Sequence, residues 1–313
     1  MIVIDRILDG AVDLHTHPFP STFERQVSID ELAHQYAEAG FRAFVAKCHH
    51  HSTAPDVLAL RRAGALPAAI EAYGGVALNG SSGGINPRAL DATIQMGGRI
   101  VWLPTTGARN HIRHAAEAAA GGKAMRFPSA DRRLMPEEPI DALDAEGRLR
   151  PELRRTIELV AEAGDVILAS GHLSADEVMV VFEAAHAAGV RKLLVNHPNF
   201  VVELDQEQCR TLTGWGAVIE HSLCMYDEDS TFCNWQIDVL VDWIEAIGPE
   251  HTSLGSDLGQ TNNPLPIAAY RKIVGRLLDA GVSEEAVRAV VADTPARLLY
   301  EAPDDTTTDT RGS

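Results

Sequence analysis

Two histidines separated by one residue close a short apolar run near the beginning of the chain. The run reads AVDLHTH and ends with His15 and His17. On a β-strand, residues two apart point to the same side, so the two imidazoles would project side by side. That arrangement suits two ligands of one metal ion. A pair of surface histidines at the end of a strand would give the same pattern, and the rest of the chain must decide.

Polar residues with metal-ligand chemistry also follow five later apolar runs. They are Lys47 with His49, then His172, His197, Glu220 with His221, and Asp257. Imidazole and carboxylate ligands favour Zn²⁺, and Mn²⁺, Fe²⁺, Co²⁺ or Ni²⁺ are also compatible with them. An open coordination position would bind water and lower its pKa toward ~7. Asp257 could ligate the metal and also take a proton from that water as the general base.

These residues need a scaffold that brings distant parts of the chain to one place. Eight short apolar runs alternate with longer segments that carry apolar residues at helical spacing. The predicted strands are Ala11–Leu14, Phe41–Ala46, Gly75–Leu78, Arg99–Leu103, Val166–Ala169, Lys192–Val195, Ala217–Ile219 and Thr252–Leu254. The alternation predicts an α/β protein, a single-domain (β/α)8 TIM barrel over residues 1–301. The carboxyl ends of its strands would open on one face, where active sites of such barrels lie.

The alternative scaffold is a doubly wound open sheet. No G-x-G-x-x-G follows the first run, which removes the commonest reason to prefer that fold. Helical segments are predicted over residues 54–74, 151–164 and 234–248. Ser174 and Glu177 have the spacing of a capping box at a helix start. We expect residues 107–150 to form an irregular loop or lid after the fourth strand, and residues 302–313 to form a disordered tail.

The composition narrows the classes of partner. The chain has 313 residues, of which 45% are hydrophobic, and a formal net charge of -17. An acidic surface repels phosphate backbones, so we expect a small-molecule substrate and no nucleic acid. No apolar run approaches the ~20 residues of a membrane span, and no signal peptide is recognisable. Four cysteines without C-x-x-C spacing indicate reduced thiols in the cytoplasm. A homo-oligomer is compatible with the sequence.

The order of the candidate ligands resembles that of the amidohydrolase superfamily of metal-dependent enzymes. H-x-H follows the first strand, single histidines follow the fifth and sixth, and an aspartate follows the eighth. The resemblance implies that His15, His17 and Asp257 bind the more buried of one or two divalent metals. It implies that His172 and His197 bind the second.

The resemblance covers Val12 to Tyr300, and DTPARLLY at its end is similar to the helix that closes such barrels. Only about ten residues precede the first strand, too few for the N-terminal β-sandwich of some members. The architecture therefore looks closer to phosphotriesterase-like enzymes or to the decarboxylase branch.

One feature departs from the superfamily pattern. Many binuclear members bridge their metals with a carboxylated lysine after the fourth strand, and here RIVWLPTTG offers no lysine at that point. Lys47, at the end of the second strand, is the lysine that could replace it as a carboxylated bridge. Alternatively, Lys47 holds a substrate anion or pairs with Asp13 or Asp257.

Residues that could contact the substrate lie after the second, fourth and seventh strands. His49 is one member of a triple-histidine run, and Glu220 and His221 could orient the substrate or a ligand imidazole. The stretch after the fourth strand is locally basic and would suit a substrate carboxylate or phosphate, unless it is simply solvated. Its basic residues are Arg109, His111, Arg113 and Arg126.

The pattern as a whole favours a metal-dependent hydrolase that cleaves an amide, cyclic amide, ester or lactone, with Asp257 as proton shuttle. The first alternative is a non-hydrolytic decarboxylase of the same superfamily. The second is a metal-binding barrel without catalysis.

Overall fold

Eight parallel strands form the centre of the protein, which is seen here as a computed structural model that describes residues 3–121 and 135–301. The strands are β1 (Val12–Thr16), β2 (Ala43–Ala46), β3 (Glu71–Ala77), β4 (Ile100–Trp102), β5 (Ile167–Ala169), β6 (Leu193–Asn196), β7 (Ala217–Ser222) and β8 (Thr252–Gly255). Each strand pairs with its neighbour in sequence, from β1 through to β8. A parallel bridge between Thr16 and Leu258 brings the chain after β8 back beside β1, so the barrel is nearly closed. The predicted barrel fold is confirmed.

Helices cover the outside of the barrel. They are α1 (Val3–Leu8), α2 (Ile29–Glu38), α3 (Ala54–Arg62), α4 (Pro87–Gln95), α5 (Arg109–Ala120), α6 (Pro151–Ala163), α7 (Ala175–Ala187), α8 (Gln206–Gly214), α9 (Ile237–Ile247), α10 (Pro266–Asp279), α11 (Glu284–Arg288) and α12 (Thr294–Tyr300). The predicted capping box is present, since the Ser174 hydroxyl accepts from the N–H of Glu177 and the Glu177 carboxylate accepts from the N–H of Ser174. In the described part of the chain, no helix has the length and apolar character to cross a bilayer.

Two segments differ from the sequence prediction. The segment over residues 54–74 is helical only to Arg62, because Gly64 and Pro67 follow, and β3 begins at Glu71. Arg109–Ala120, expected to be irregular, forms α5, since its alanine-rich sequence has high helix propensity. Residues 122–134, which include Arg126, and the expected tail at 302–313 lie outside the described residues.

The two ends of the barrel differ in polarity. Inside the barrel, apolar side chains from the strands pack with Leu298 and Leu299 of α12, the helix anticipated from DTPARLLY. Lys192, which directly precedes β6, donates to the carbonyl of Leu299, so α12 lies at the amino ends of the strands. The carboxyl ends are left for the polar residues, as expected for a barrel of this type.

Candidate metal centre

His15, His17 and Asp257 form a compact set of donor atoms at the carboxyl ends of β1 and β8. Their ligand atoms all lie within 4.8 Å of one another. Asp257 Oδ1 is 3.0 Å from His17 Nε2 and 3.3 Å from His15 Nε2. Two ligands at about 2.1 Å from one tetrahedral ion lie ~3.4 Å apart, so these three donors fit a single divalent cation. Both histidines are buried, while the Asp257 side chain is 14% exposed and faces the open end.

The backbone of two site residues lies in the left-handed region that non-glycine residues rarely adopt. Asp257 has φ of 53° and His197 has φ of 44°. The N–H of Asp257 donates to the carbonyl of His15 over 2.7 Å, which fixes the turn after β8 against β1. Strained residues of this kind persist where the surrounding structure holds them, and they concentrate at functional sites.

Glu220 orients the imidazole of His15 from inside the barrel. Its Oε1 lies 2.8 Å from His15 Nδ1 and accepts a second hydrogen bond from Asn196 Nδ2, also over 2.8 Å. This bond makes Nδ1 the donor and leaves Nε2 unprotonated toward Asp257, as a metal ligand requires. Gly255 leaves room for the pair, because a Cβ there would lie 2.9 Å from Glu220 Cδ and 2.9 Å from His15 Cβ.

Asp13 ties the two ligand-bearing segments together below the donor set. Its Oδ1 accepts from the N–H groups of His15 and Ser256, each over 3.0 Å, and its Oδ2 accepts from the hydroxyl of Tyr36. Burial raises the pKa of Asp13 to about 6 despite these hydrogen bonds. The sequence suggested Asp13 only as a partner for Lys47, whereas the structure gives it this positioning role.

Lys47 lies beside the donor set. Its Nζ is 3.0 Å from His15 Nε2 and 5.2 Å from the ring centroid of Trp102. Burial lowers the pKa of Lys47 to about 8, against the opposing charges of Asp257 and Glu220. The amine is therefore within reach of the ligands of the first predicted metal, and a fraction of it is neutral at neutral pH.

His197 and His172 extend the cluster from the ends of β6 and β5. His197 Nδ1 is 2.6 Å from the Ser222 hydroxyl and 3.8 Å from Asp257 Oδ2. The His172 ring centroid is 5.4 Å from that of His197, and its Nδ1 is 2.8 Å from His111 Nδ1. Burial lowers the pKa of both His172 and His197 well below the usual value, so both imidazoles are neutral. They adjoin the compact donor set without belonging to it.

His49 adjoins the cluster beside His17 and His172. Its ring stacks on His17 with centroids 4.8 Å apart, and its Nδ1 is 2.8 Å from the Thr105 hydroxyl. Asn79 supports this position, because its Nδ2 donates to the Thr105 hydroxyl and to the His49 carbonyl. His49 thus joins the histidines at the barrel mouth, where it was predicted to meet the substrate.

Two residues that were predicted to contact the substrate have other partners in the structure. His221 points to the outer side of β7, where its Nδ1 is 3.1 Å from the Tyr226 hydroxyl and its ring packs on Trp243 of α9. Strand alternation explains this, because Glu220 points inward and its neighbour must point outward. The Arg109 side chain is 60% exposed and is bound by both oxygens of Asp141.

Sequence reasoning missed several residues that hold the site. Ser222, Thr105 and Asn79 are small polar residues that carry no ligand signal on their own. Ser222 could have been found from alternation, because it lies two residues after the inward-facing Glu220. His111 was noted only as part of a basic stretch, and its contact with His172 depends on the start of α5.

Residues 10–220 match the model of a family described as a family of unknown function, DUF6282. The chain belongs to this family. No curated protein matches its sequence significantly.

Solved structures show where the fold occurs. An amidohydrolase from Pseudomonas aeruginosa is 11% identical, with a TM-score of 0.57 over 95% of this chain and 97% of its own. A 2,6-dihydroxybenzoate decarboxylase from Rhizobium is 13% identical, with a TM-score of 0.53 over 93% and 98%. A mutant organophosphorus hydrolase from Deinococcus radiodurans is 13% identical, with a TM-score of 0.54 over 93% of both chains. The expected resemblance to amidohydrolase-superfamily barrels is confirmed at the level of the fold.

Proposed function

We propose that this protein is a metal-dependent hydrolase that cleaves an amide, cyclic amide, ester or lactone bond in a small molecule. The observation that carries the proposal is the meeting of His15, His17 and Asp257 at one point of the barrel mouth. Zn²⁺ is the ion that this donor set favours, as one ion or two. Hydrolases are among the proteins that share the fold.

Each residue of the proposed site would have its own role. His15 and His17 would hold the cation through Nε2, together with Asp257 Oδ1, and His172 and His197 would serve a second ion. A cation bound there supplies a Lewis acid that polarises a carbonyl and lowers the pKa of water.

Asp257 would move the proton in this mechanism. Its Oδ1 faces the two β1 histidines, whereas its Oδ2 is 3.7 Å from Cys224 Sγ and 3.8 Å from His197 Nδ1. Burial acts to raise the pKa of Asp257, but the adjacent imidazoles of His15, His17 and His197 hold it well below its usual range. The carboxylate is therefore ionised, and Oδ2 can take a proton from the attacking water and deliver it to the leaving group.

Lys47 is proposed as a carboxylated bridge between two metals. Reaction with CO₂ needs a neutral amine, which the lowered pKa of about 8 supplies. The alternative role is an ammonium group that stays beside Asp257 and attracts a substrate anion.

The second candidate function is metal-dependent decarboxylation of an acid. The observation that favours it is the similarity of the barrel to 2,6-dihydroxybenzoate decarboxylase over nearly the whole of both chains. Release of CO₂ from an aromatic or unsaturated acid would distinguish it from hydrolysis.

The cellular location and the partners that we propose follow from the net charge and the cysteines of the chain. All four cysteines are free, in keeping with a reducing cytoplasm. The net charge of -17 disfavours nucleic acid, so the partner proposed is a small molecule, in a monomer or a homo-oligomer.

The test is Asp257→Asn against a panel of lactones, esters and amides, with zinc-loaded protein. Loss of the general base and of a ligand oxygen predicts a fall in kcat of at least ~100-fold, with an unchanged thermal unfolding transition. Asp141→Asn, at a partly exposed carboxylate that pairs with Arg109 outside the donor set, is the matched control and should retain the wild-type rate. A near-wild-type rate for Asp257→Asn would contradict the mechanism, and a fully loaded wild type inactive on the panel and in CO₂ release would favour a non-catalytic barrel.

A further inference from the structure

The loop between β1 and α2 carries an arginine to the rim of the barrel mouth. Arg25 forms an antiparallel bridge with Gln260, and the N–H of the next residue, Gln26, donates to the carbonyl of Gly259 over 2.9 Å. Gln260 in turn donates through Nε2 to the carbonyl of Asp257 over 2.9 Å. The backbone at Arg25 is thus paired with the segment after β8 that carries Asp257, the proposed proton shuttle.

The guanidinium is connected to the histidine cluster through a short series of ring contacts. Arg25 Cζ lies 5.7 Å from the ring centroid of Phe23, and the Phe23 and His49 rings pack edge to face with their centroids 6.1 Å apart. His49 stacks on His17, a proposed ligand. Arg25 therefore lies on the same face of the barrel as the donor set, with the rings of Phe23 and His49 between its guanidinium and His17.

Arg25 is a partly buried cation with no carboxylate within ion-pair distance in the described part of the chain. No described carboxylate forms an ion pair with it, and its Nε is buried without a hydrogen-bond partner. Burial lowers the pKa of Arg25 to about 10, against the more distant opposing charges of Cys48 and Asp257, so the group remains charged at neutral pH. Desolvating a charge is costly unless a partner compensates it. In contrast, Arg109 and Arg113 on α5 are paired with Asp141 and Glu117.

A second unpartnered group lies in the segment whose backbone pairs with this arginine. The hydroxyl of Thr261, which follows Gln260, is buried and has no hydrogen-bond partner among the described residues. A guanidinium offers two parallel N–H donors that match the two oxygens of a carboxylate, and a hydroxyl can donate to the same group. The guanidinium therefore offers the paired donors that a carboxylate needs, on the same face of the barrel as the proposed metal centre.

We propose that Arg25 binds a carboxylate of the substrate and so selects organic acids over their neutral analogues. This inference rests on the proposed function, since it names the substrate class of the same site. It replaces Arg109 as the group that recognises an anion. A substrate of this class carries its carboxylate at the Arg25 side of the mouth and its reacting bond at the His15–Asp257 side.

Calorimetric binding of simple acids tests the inference without any need for turnover. The probes are benzoate, isophthalate and glutarate, each compared with its amide, on zinc-loaded and on metal-free protein. Wild type should bind at least one acid at least tenfold more tightly than its amide. Arg25→Gln should lose about 10- to 100-fold of that affinity, as expected for hydrogen bonds to a charged group. Arg155→Gln, which removes a surface arginine paired with Glu158 on α6, is the control and should bind as wild type does.

Several results would overturn the inference. The inference fails if the wild-type protein binds the acids no more tightly than their amides. It also fails if Arg25→Gln binds the acids with wild-type affinity. If Arg25→Gln does not fold, Arg25→Lys keeps the charge but not the paired donors, and it should bind the acids at least fivefold more weakly. Acid binding that depends on Arg25 in a protein without hydrolytic turnover would sustain this inference while the proposed function failed. Hydrolytic turnover with no preference for acids would support the proposed function and contradict this inference.

Discussion

Glu220→Gln is the perturbation for which the structure gives the most specific expectation. The substitution keeps the size of the side chain and removes the charge that holds His15 Nδ1 at 2.8 Å. A hydrogen bond to a charged group contributes ~1.5–3 kcal/mol, and a neutral one ~0.5–1.5 kcal/mol. The difference of about 1–1.5 kcal/mol corresponds to roughly tenfold in a binding constant. Loss of a residue that orients a ligand imidazole weakens metal binding by about 10- to 100-fold, so we expect a Zn²⁺ affinity reduced within that range.

The assay is competition for Zn²⁺ with a chromophoric chelator, on protein first stripped of metal. His221→Gln is the matched control, because His221 is the next residue on β7 and points to the opposite side, toward Tyr226 and Trp243. Its Zn²⁺ affinity should equal that of wild type. Equal affinities for Glu220→Gln and wild type, with both proteins folded, would refute the assignment of His15 as a ligand held by Glu220.

Two further substitutions test the packing and the number of ions. Gly255→Ala places a Cβ 2.9 Å from Glu220 Cδ and 2.9 Å from His15 Cβ. It should therefore lower the free energy of unfolding in urea by ~1–3 kcal/mol and weaken Zn²⁺ binding. Gly214→Ala is the control, because the space around Gly214 is open, and it should change neither quantity. A wild-type urea midpoint for Gly255→Ala would mean that the pair is not tightly packed. Lys47→Ala should reduce the metal content from two ions to one if Lys47 is a bridge, as measured by elemental analysis, and unchanged stoichiometry with unchanged activity would remove that role.

The fold and the ligand positions could be predicted because barrel geometry converts a linear pattern into a spatial one. Parallel strands place all their carboxyl ends on one face, so polar residues that follow distant apolar runs must meet. This reasoning found His15, His17 and Asp257, which the structure brings together. It also placed Lys47 and His197 beside them, from the ends of β2 and β6.

The positions of the other site residues depended on structural details that a pattern of strands does not contain. Glu220 and His221 are adjacent in sequence, and only the facing direction of β7 separates a ligand-orienting residue from an outer packing residue. Arg109 was expected to be free because the segment after β4 was expected to be a loop. As the first residue of α5, it instead pairs with Asp141. Arg25 lies in a loop without periodicity, and its place at the barrel mouth depends on a backbone pairing with the segment after β8.

Metal content is the measurement that tests the central claim most directly. Elemental analysis of the purified protein, followed by zinc titration after chelation, should show at least one tightly bound transition-metal ion per chain. The same titration of His17→Asn should show that binding at this site is lost, while the protein retains its helical circular dichroism. A protein that contains no transition metal, and whose unfolding temperature responds neither to chelators nor to added zinc, would contradict the assignment of these residues as a metal centre.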